Sequence, residues 1–193
     1  MRLFVAAEVN EAVRTRAAEI AAILRAANDR DGRRSVSWVA AENLHFTLQF
    51  IGETDPAHVQ RIVDQLALPF DLPPFDLTIA GAGTFPPSGP ARVVWLGVTA
   101  GGAALSALAR AVNQRLDEIG LPREDRPFRA HLTLGRVKGA TGARFRDAVT
   151  QARDLPVGAC TVSHVTLFDS RLSPRGSTYS VVTTSALGYH RAP

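Results

Sequence analysis

The order of strand and helix patterns in the first half of this 193-residue chain returns in its second half. Each half opens with an apolar strand pattern, at residues 2–9 or 92–99, and continues with a helix, a histidine-containing strand and a second helix. Corresponding residues are separated by similar distances along the chain: His45 and His131, for example, are 86 residues apart. Repeats of this kind put equivalent residues on equivalent elements. The chain is therefore predicted to contain two related lobes.

Residue patterns predict where the individual elements lie. In the first helix apolar residues recur at helical spacing, and a capping Asp55 followed by Pro56 marks the start of another helix. The predicted helices are residues 11–27, 54–68, 103–119 and 141–153. The predicted strands are residues 2–9, 36–39, 44–52, 75–85, 92–99, 128–137, 159–169 and 177–186, with a polar loop at 28–34 and turns at 86–90 and 173–176.

This alternation of strands and helices indicates an α+β or α/β protein. We expect a single domain, residues 1–193, with two pseudo-symmetric lobes at roughly residues 1–90 and 91–193. Equivalent residues of two such lobes can face each other across a central cleft.

The motif H-x-T-L occurs on the equivalent strand of each half, beginning at His45 and at His131. Side chains two positions apart on a strand point to the same side, so His45 shares a face with Thr47, and His131 shares a face with Thr133. Each strand thus presents one imidazole and one hydroxyl from a rigid support.

Continued alternation makes a prediction for the residues that follow the first motif. Gln49 is expected on the face of the histidine, and Phe50 on the opposite face with the residues that fill the core.

Two imidazoles suit the cleavage of a phosphodiester. A neutral imidazole accepts a proton from attacking water, and a protonated one donates a proton to the departing ribose oxygen. The threonine hydroxyls can donate hydrogen bonds to phosphate oxygens on which charge builds. For either histidine alone, a place in the core or at a strand edge is the plainer interpretation, but the paired motifs favour catalysis. The spacing of histidines and carboxylates does not favour a metal site.

A third H-x-T-L begins at His164. It follows the second helix of its half rather than preceding it, so we interpret the match as accidental. His58, at a helix start, and His190, in the tail, carry no motif and are expected to be exposed.

Composition excludes some classes of site. The single cysteine, Cys160, excludes an internal disulfide and a cysteine-based zinc site, and its apolar surroundings indicate a buried thiol. The net charge is a modest +4, and all but one of the basic residues are arginines. Arginine is well shaped to bind phosphate, but a GC-rich genome also favours arginine codons, so the arginines do not by themselves indicate an anionic ligand. Neither a signal peptide nor a long apolar run is evident, so we expect a cytoplasmic location.

Together with their surroundings, the paired motifs resemble the 2H phosphoesterase superfamily. Within it, the chain is most similar to the bacterial and archaeal RNA 2′,3′-cyclic phosphodiesterases, first described as 2′-5′ RNA ligases. The resemblance covers nearly the whole chain. It is carried by RLFVA at 2–6, WVAAENLHFTL at 38–48, FIGE at 50–53, FRAHLTLGR at 128–136, and LFDS at 167–170 with Gly176 and Tyr179.

The resemblance implies an α+β fold of two lobes around a cleft, each lobe a mainly antiparallel sheet with helices on its outer face. It implies hydrolysis of an RNA 2′,3′-cyclic phosphate to a terminal 2′-phosphate, without cofactor or obligate metal. His45 then matches the proton donor, His131 the proton acceptor, and Thr47 and Thr133 the phosphate-binding hydroxyls. Ligation through a 2′-5′ bond is implied as the reverse reaction.

Arg136 matches the arginine that often closes the second motif of this family. Strict alternation points it away from His131, whereas a bulge at Gly135 turns it back toward the cleft. An ordinary surface arginine is the alternative. Three more arginines precede the same strand and are candidates for RNA contact or for a solvated face: Arg123, Arg126 and Arg129.

Other functions stay open at this point. The same site suits a 2′-5′ linkage or the cyclic phosphate of a small nucleotide. A non-catalytic module that binds RNA ends is a further alternative, mildly disfavoured by an aromatic content of only 7%. A monomer without an obligate protein partner is expected.

Overall fold

The computed structural model describes residues 1–33, 35–122, 127–173 and 176–188. The helices are α1 (Glu11–Arg30), α2 (Pro56–Ala67), α3 (Gly102–Asp117) and α4 (Ala143–Gln151). The strands are β1 (Arg2–Glu8), β2 (Val36–Trp38), β3 (His45–Glu53), β4 (Phe75–Phe85), β5 (Val93–Ala100), β6 (His131–Val137), β7 (Pro156–Val162), β8 (His164–Ser173) and β9 (Gly176–Ala186).

These strands form two antiparallel sheets. The order in one sheet is β3–β1–β8–β9, and the order in the other is β2–β6–β5–β4–β7. The predicted α+β fold is thus confirmed, and His45 and His131 each begin a strand of a different sheet.

The two sheets do not coincide with the two halves of the sequence. β1 of the first half pairs with β8 of the second, and β5 of the second half pairs with β4 of the first. The pairing of β4 with β5 joins residues on either side of position 90 within one sheet. The predicted boundary between residues 90 and 91 therefore does not separate the sheets, because each half contributes strands to both.

Amphipathic helices cover the sheets and close the main core. α1 packs against α4 and β7, while α3 packs against α2 and β3. The apolar residues predicted to face inward on α1 are buried, among them Val13, Ile20 and Leu24. Each such side chain contributes roughly 1.5–3 kcal/mol of hydrophobic stabilisation. Within the described residues, no helix is both long enough and apolar enough to cross a bilayer.

The polar segment at 28–34 is not simply a loop, because α1 continues to Arg30. Asn28 is almost fully buried; its amide donates to the carbonyl of Arg33 at 2.8 Å and its side-chain oxygen accepts from Ser35 Oγ at 3.1 Å. Asp31 accepts from the backbone N–H of Phe145 at 3.0 Å, near the start of α4. The polar side chains of this segment thus make hydrogen bonds within the fold, and the polar composition of the segment alone does not show this.

The predicted strand at 159–169 is two strands that lie in different sheets. β7 ends at Val162 and β8 begins at His164. Between them, the carbonyl of Ser163 accepts a hydrogen bond from the N–H of Leu187 at 2.8 Å. The chain thus changes sheets within one residue.

Candidate active site

One cleft brings together all five site residues predicted from the sequence. It has a volume of about 1530 Å³, and His45, Thr47, His131, Thr133 and Arg136 all contribute to its lining. The two motifs reach it from separate sheets, through β3 and β6.

The two imidazoles are held in the same way. His45 Nδ1 lies 2.7 Å from the carbonyl oxygen of Asn43, and His131 Nδ1 lies 2.7 Å from that of Arg129. A carbonyl oxygen only accepts, so each Nδ1 carries a proton and donates it. In the neutral ring, Nε2 is then the basic nitrogen and is the one left for proton transfer. His45 Nε2 lies 3.0 Å from Thr47 Oγ1.

Three aromatic rings lie around His45, and one packs against His131. The ring centroid of His45 lies 4.8 Å from that of Phe4, 5.5 Å from Tyr179 and 6.4 Å from Phe168. His131 meets Phe85 edge-on at 5.1 Å. These rings pack against the imidazoles and shield part of each from water.

This burial changes the basicity of both histidines. Desolvation lowers the pKa of His45, the nearby cation of Arg136 lowers it further, and the hydrogen bond to Asn43 and the charge of Glu8 oppose the change. Desolvation and Arg136 also lower the pKa of His131, against the hydrogen bond to Arg129. A bound anionic phosphate favours the protonated form and so raises both.

A bulge in β3 changes which residues face the cleft. Val5 pairs with Gln49 and Ala6 pairs with Thr47, which leaves Leu48 as an extra residue. The alternation reverses after it: Phe50 pairs with Phe4, on the side of His45 and Thr47, and is 53% exposed. Gln49 pairs with Val5, on the opposite side, and is buried, although it also contributes to the lining of the cleft. The predictions that Gln49 shares the face of His45 and that Phe50 fills the core are therefore wrong.

An equivalent bulge in β6 brings Arg136 into the cleft. Trp95 pairs with Thr133 and Val94 pairs with Gly135, which leaves Leu134 as the extra residue. The bulge predicted near Gly135 is thus confirmed, and it puts Arg136 on the side of the histidine. Leu134 corresponds to Leu48 in the repeat, so both motifs bulge at the same place.

The other histidines lie elsewhere. His58 is exposed, as predicted, and its Nδ1 lies 2.6 Å from Asp55 Oδ2. His164 is on β8, with Nε2 3.3 Å from Glu8 Oε2, and is not among the residues that line the cleft. His190 lies outside the described residues.

Further residues line the cleft beside the five predicted site residues. Of the three other candidate arginines, Arg129 lines it, whereas Arg123 and Arg126 lie outside the described residues. Three aromatic residues that the sequence did not single out as site residues also line it: Phe4, Phe85 and Tyr179. Phe4 and Tyr179 fall in the segments that carry the family resemblance, which was the only signal for them.

No group of three or more His, Cys, Asp or Glu side chains is placed to hold a metal ion in the part of the chain that the structure describes. Cys160 is buried, as predicted, and desolvation raises the pKa of its thiol. Burial and a raised pKa both disfavour the thiolate form of Cys160.

Comparison with known proteins places these features in a family. The model of the 2′-5′ RNA ligase superfamily matches residues 9–173. A protein of Archaeoglobus fulgidus named RNA 2′,3′-cyclic phosphodiesterase is 37% identical over 179 residues, which are 93% of this chain and 96% of the relative. A Thermotoga maritima protein of the same name is 32% identical, over 94% of this chain and 93% of its own length.

Solved structures share the fold along almost the full length. The protein TT0787 of Thermus thermophilus superposes with a TM-score of 0.78 at 27% identity, covering 98% of this chain and all of that one. Escherichia coli LigT complexed with 3′-AMP gives a TM-score of 0.67 at 26% identity, covering 96% and 97% of the two chains.

Proposed function

Because this chain belongs to the 2′-5′ RNA ligase superfamily, we propose that it hydrolyses the 2′,3′-cyclic phosphate at an RNA end to a terminal 2′-phosphate. The relatives that match over nearly their whole length are named for this activity. The observation that carries the proposal is the pair of imidazoles in one cleft, each with Nδ1 bound to a carbonyl oxygen and Nε2 left for proton transfer.

In the proposed reaction, His131 Nε2 takes a proton from water as the water oxygen attacks phosphorus. A new P–O bond forms and the bond from phosphorus to the ribose 3′ oxygen breaks. His45 Nε2 gives its proton to that leaving oxygen. The product is a 2′-phosphate beside a free 3′-hydroxyl, and exchange of protons with water restores both histidines.

The remaining cleft residues act on the phosphate. Thr47 and Thr133 donate hydrogen bonds to its non-bridging oxygens, where negative charge grows in the transition state. Arg136, brought into the cleft by the β6 bulge, supplies a charge-assisted hydrogen bond. Every proton and charge in this scheme is handled by side chains, so no step requires a cofactor or a metal ion.

Ligation is proposed as a secondary activity. If the 5′-hydroxyl of a second RNA replaces water as the nucleophile, His131 takes its proton, a bond from phosphorus to the 5′ oxygen forms, and the bond to the 3′ oxygen breaks as His45 protonates that oxygen. A 2′-5′ linkage with a free 3′-hydroxyl results, and its cleavage is the same step in reverse, with donor and acceptor exchanged. A cytoplasmic location and a monomeric state stay predictions from the sequence.

The test uses purified protein, EDTA and a short RNA ending in a 2′,3′-cyclic phosphate, with the product identified by its mass and by comparison with authentic 2′-phosphate and 3′-phosphate ends. We expect a terminal 2′-phosphate. His45→Ala and His131→Ala should each lose about 10²–10⁴-fold in kcat/KM, the usual value of one general acid or base. His58→Ala, an exposed histidine, is the matched control and should retain full activity.

Other outcomes favour the alternatives. Tight binding of the RNA end without turnover indicates an end-binding module, and that binding would weaken steeply with salt. Faster turnover of a cyclic mononucleotide than of the oligonucleotide indicates a small-nucleotide phosphodiesterase.

A further inference from the structure

A carboxylate lies beside one of the two histidines. Glu8 is the last residue of β1 and pairs directly with His45 on β3. Side chains directly opposite each other on antiparallel strands lie on the same face, with Cβ atoms about 4.5–5.5 Å apart. Glu8 is therefore the immediate neighbour of His45 across the sheet.

Three donors hold this carboxylate in place. Thr166 Oγ1 donates to Glu8 Oε2 at 3.1 Å, and His164 Nε2 lies 3.3 Å from the same oxygen. Arg14 lies 3.4 Å from Oε1. Thr166 is fully buried and the Glu8 side chain is only 32% exposed, so the carboxylate has little freedom. The third H-x-T-L copy thus supplies both of its polar side chains to Glu8.

The other histidine has no such neighbour across its strand pair. The residue that pairs directly with His131 is Gly97 on β5. A Cβ added there would lie 3.1 Å from the carbonyl oxygen of Ala80 and 3.3 Å from the ring of Trp95, so larger residues are crowded out. The two imidazoles are held in the same way through Nδ1, but their partners on the neighbouring strand differ. A carboxylate lies opposite His45, and a glycine lies opposite His131.

We propose that Glu8 is a positioning residue that keeps the proton on His45, and thereby makes His45 rather than His131 the proton donor of the reaction. The assignment of a donor rests on the proposed function; the effect of Glu8 on His45 does not.

The charges around the two rings agree with this asymmetry. The negative charge of Glu8 raises the pKa of His45, against burial and the cation of Arg136. The cation of Arg136 acts on His131 in the lowering direction. Arg14 and His164 face Glu8 from α1 and β8, so they fix the carboxylate and partly screen its charge.

The first test is an NMR titration of the two histidines in the free protein. Glu8→Gln keeps the shape of the side chain and removes its charge. We expect the His45 titration midpoint to fall by about one pH unit, the lower end of the effect of an adjacent charge, while that of His131 stays within a few tenths. Glu53→Gln, an exposed carboxylate at the far end of the same strand pair, is the control and should move neither.

The second test is the pH dependence of kcat/KM for RNA with a cyclic end. In Glu8→Gln the alkaline limb should move to lower pH by the same amount as the His45 midpoint. Above that limb the variant is then about tenfold slower than wild type, and below it the two rates converge. A carboxylate that merely stabilises the fold would, when lost, lower the rate by the same factor at every pH.

The outcomes separate the two proposals. An unchanged His45 midpoint in Glu8→Gln overturns the role of Glu8, whatever the substrate. If that variant does not fold, the wild-type titration still decides, since His45 protonating at lower pH than His131 contradicts the proposal. Absence of turnover by the wild type refutes the proposed function alone.

Discussion

Gly135 connects the packing of β2 to the position of Arg136, and Gly135→Ala tests that connection. A Cβ at this position would lie 2.8 Å from Val36 Cγ1, 3.2 Å from the carbonyl oxygen of Ser37 and 3.3 Å from Trp38 Cε3. All three atoms belong to β2, which pairs with β6 at this bulge. The methyl group therefore forces β2 away from β6 or flattens the bulge.

The expected cost follows from this crowding. Overpacking by one methyl group typically destabilises a core by about 1–3 kcal/mol. In a domain of this size 1 kcal/mol corresponds to about 2–4 °C, so Tm should fall by about 2–12 °C. Arg136 pairs with Ser37, so its displacement should weaken the charge-assisted hydrogen bond to the phosphate that we propose for it. A loss of at least ~1.4 kcal/mol lowers kcat/KM tenfold or more.

Thermal unfolding and kcat/KM on cyclic-ended RNA measure both effects. Gly139→Ala is the matched control, because its Cβ would lie 3.5 Å from Ser35 Cβ, an ordinary contact. We expect wild-type values for it. Wild-type Tm and wild-type kcat/KM in Gly135→Ala would refute the view that this bulge and β2 together position Arg136.

Two further predictions concern pH. The pKa values of His45 and His131 are both lowered below about 6.5, so kcat/KM of the wild type should be maximal below pH 6.5. Arg136→Gln removes a cation that acts on both histidines and should move both limbs of the pH profile to higher pH. A loss of rate without movement of the limbs would leave Arg136 a role in phosphate binding only. Because both pKa values are lowered by folding, the unfolded chain binds more protons than the folded chain just below pH 6.5. The stability that comes from burying the two neutral imidazoles is therefore complete above about pH 6.5 and is lost as pH falls from there. In denaturant unfolding, the double variant His45→Gln/His131→Gln should lose stability less steeply with acid than the wild type, and an equal loss would contradict the lowered pKa values.

Local patterns in the sequence located most of the elements and the paired motifs, but they did not divide residues 159–169 into two strands. His45 and Thr47, two positions apart on β3, pair with Glu8 and Ala6 of β1 and lie on one side of the sheet, as alternation requires. Beyond Thr47 the same rule failed, because a bulge residue in a strand moves the side chains that follow it to the opposite face of the sheet. No residue type in β3 marks the position of this bulge. Phe50, an apolar residue after Leu48, has the composition of a core position although it lines the cleft.

Pairing between distant strands was beyond the sequence for a different reason. The pattern of β4 shows that it is a strand but not that β5 and β7 are its neighbours, which depends on contacts far apart along the chain. The position of Glu8 opposite His45 is of this kind too, since it follows from the register of β1 on β3 and from nothing in either segment alone.

The sharing of strands between the sheets has a mechanical consequence. Following the described strands in order, the chain passes between the sheets four times: β1 to β2, β2 to β3, β3 to β4 and β7 to β8. Two of these crossings are short, one of residues 39–44 and one of Ser163 alone, and they oppose a rigid-body swing of the sheets that a single long linker would permit. The separation of the two imidazoles is thus set during folding, and an entering RNA end meets them already in place, so that little of its binding energy is spent on bringing them together.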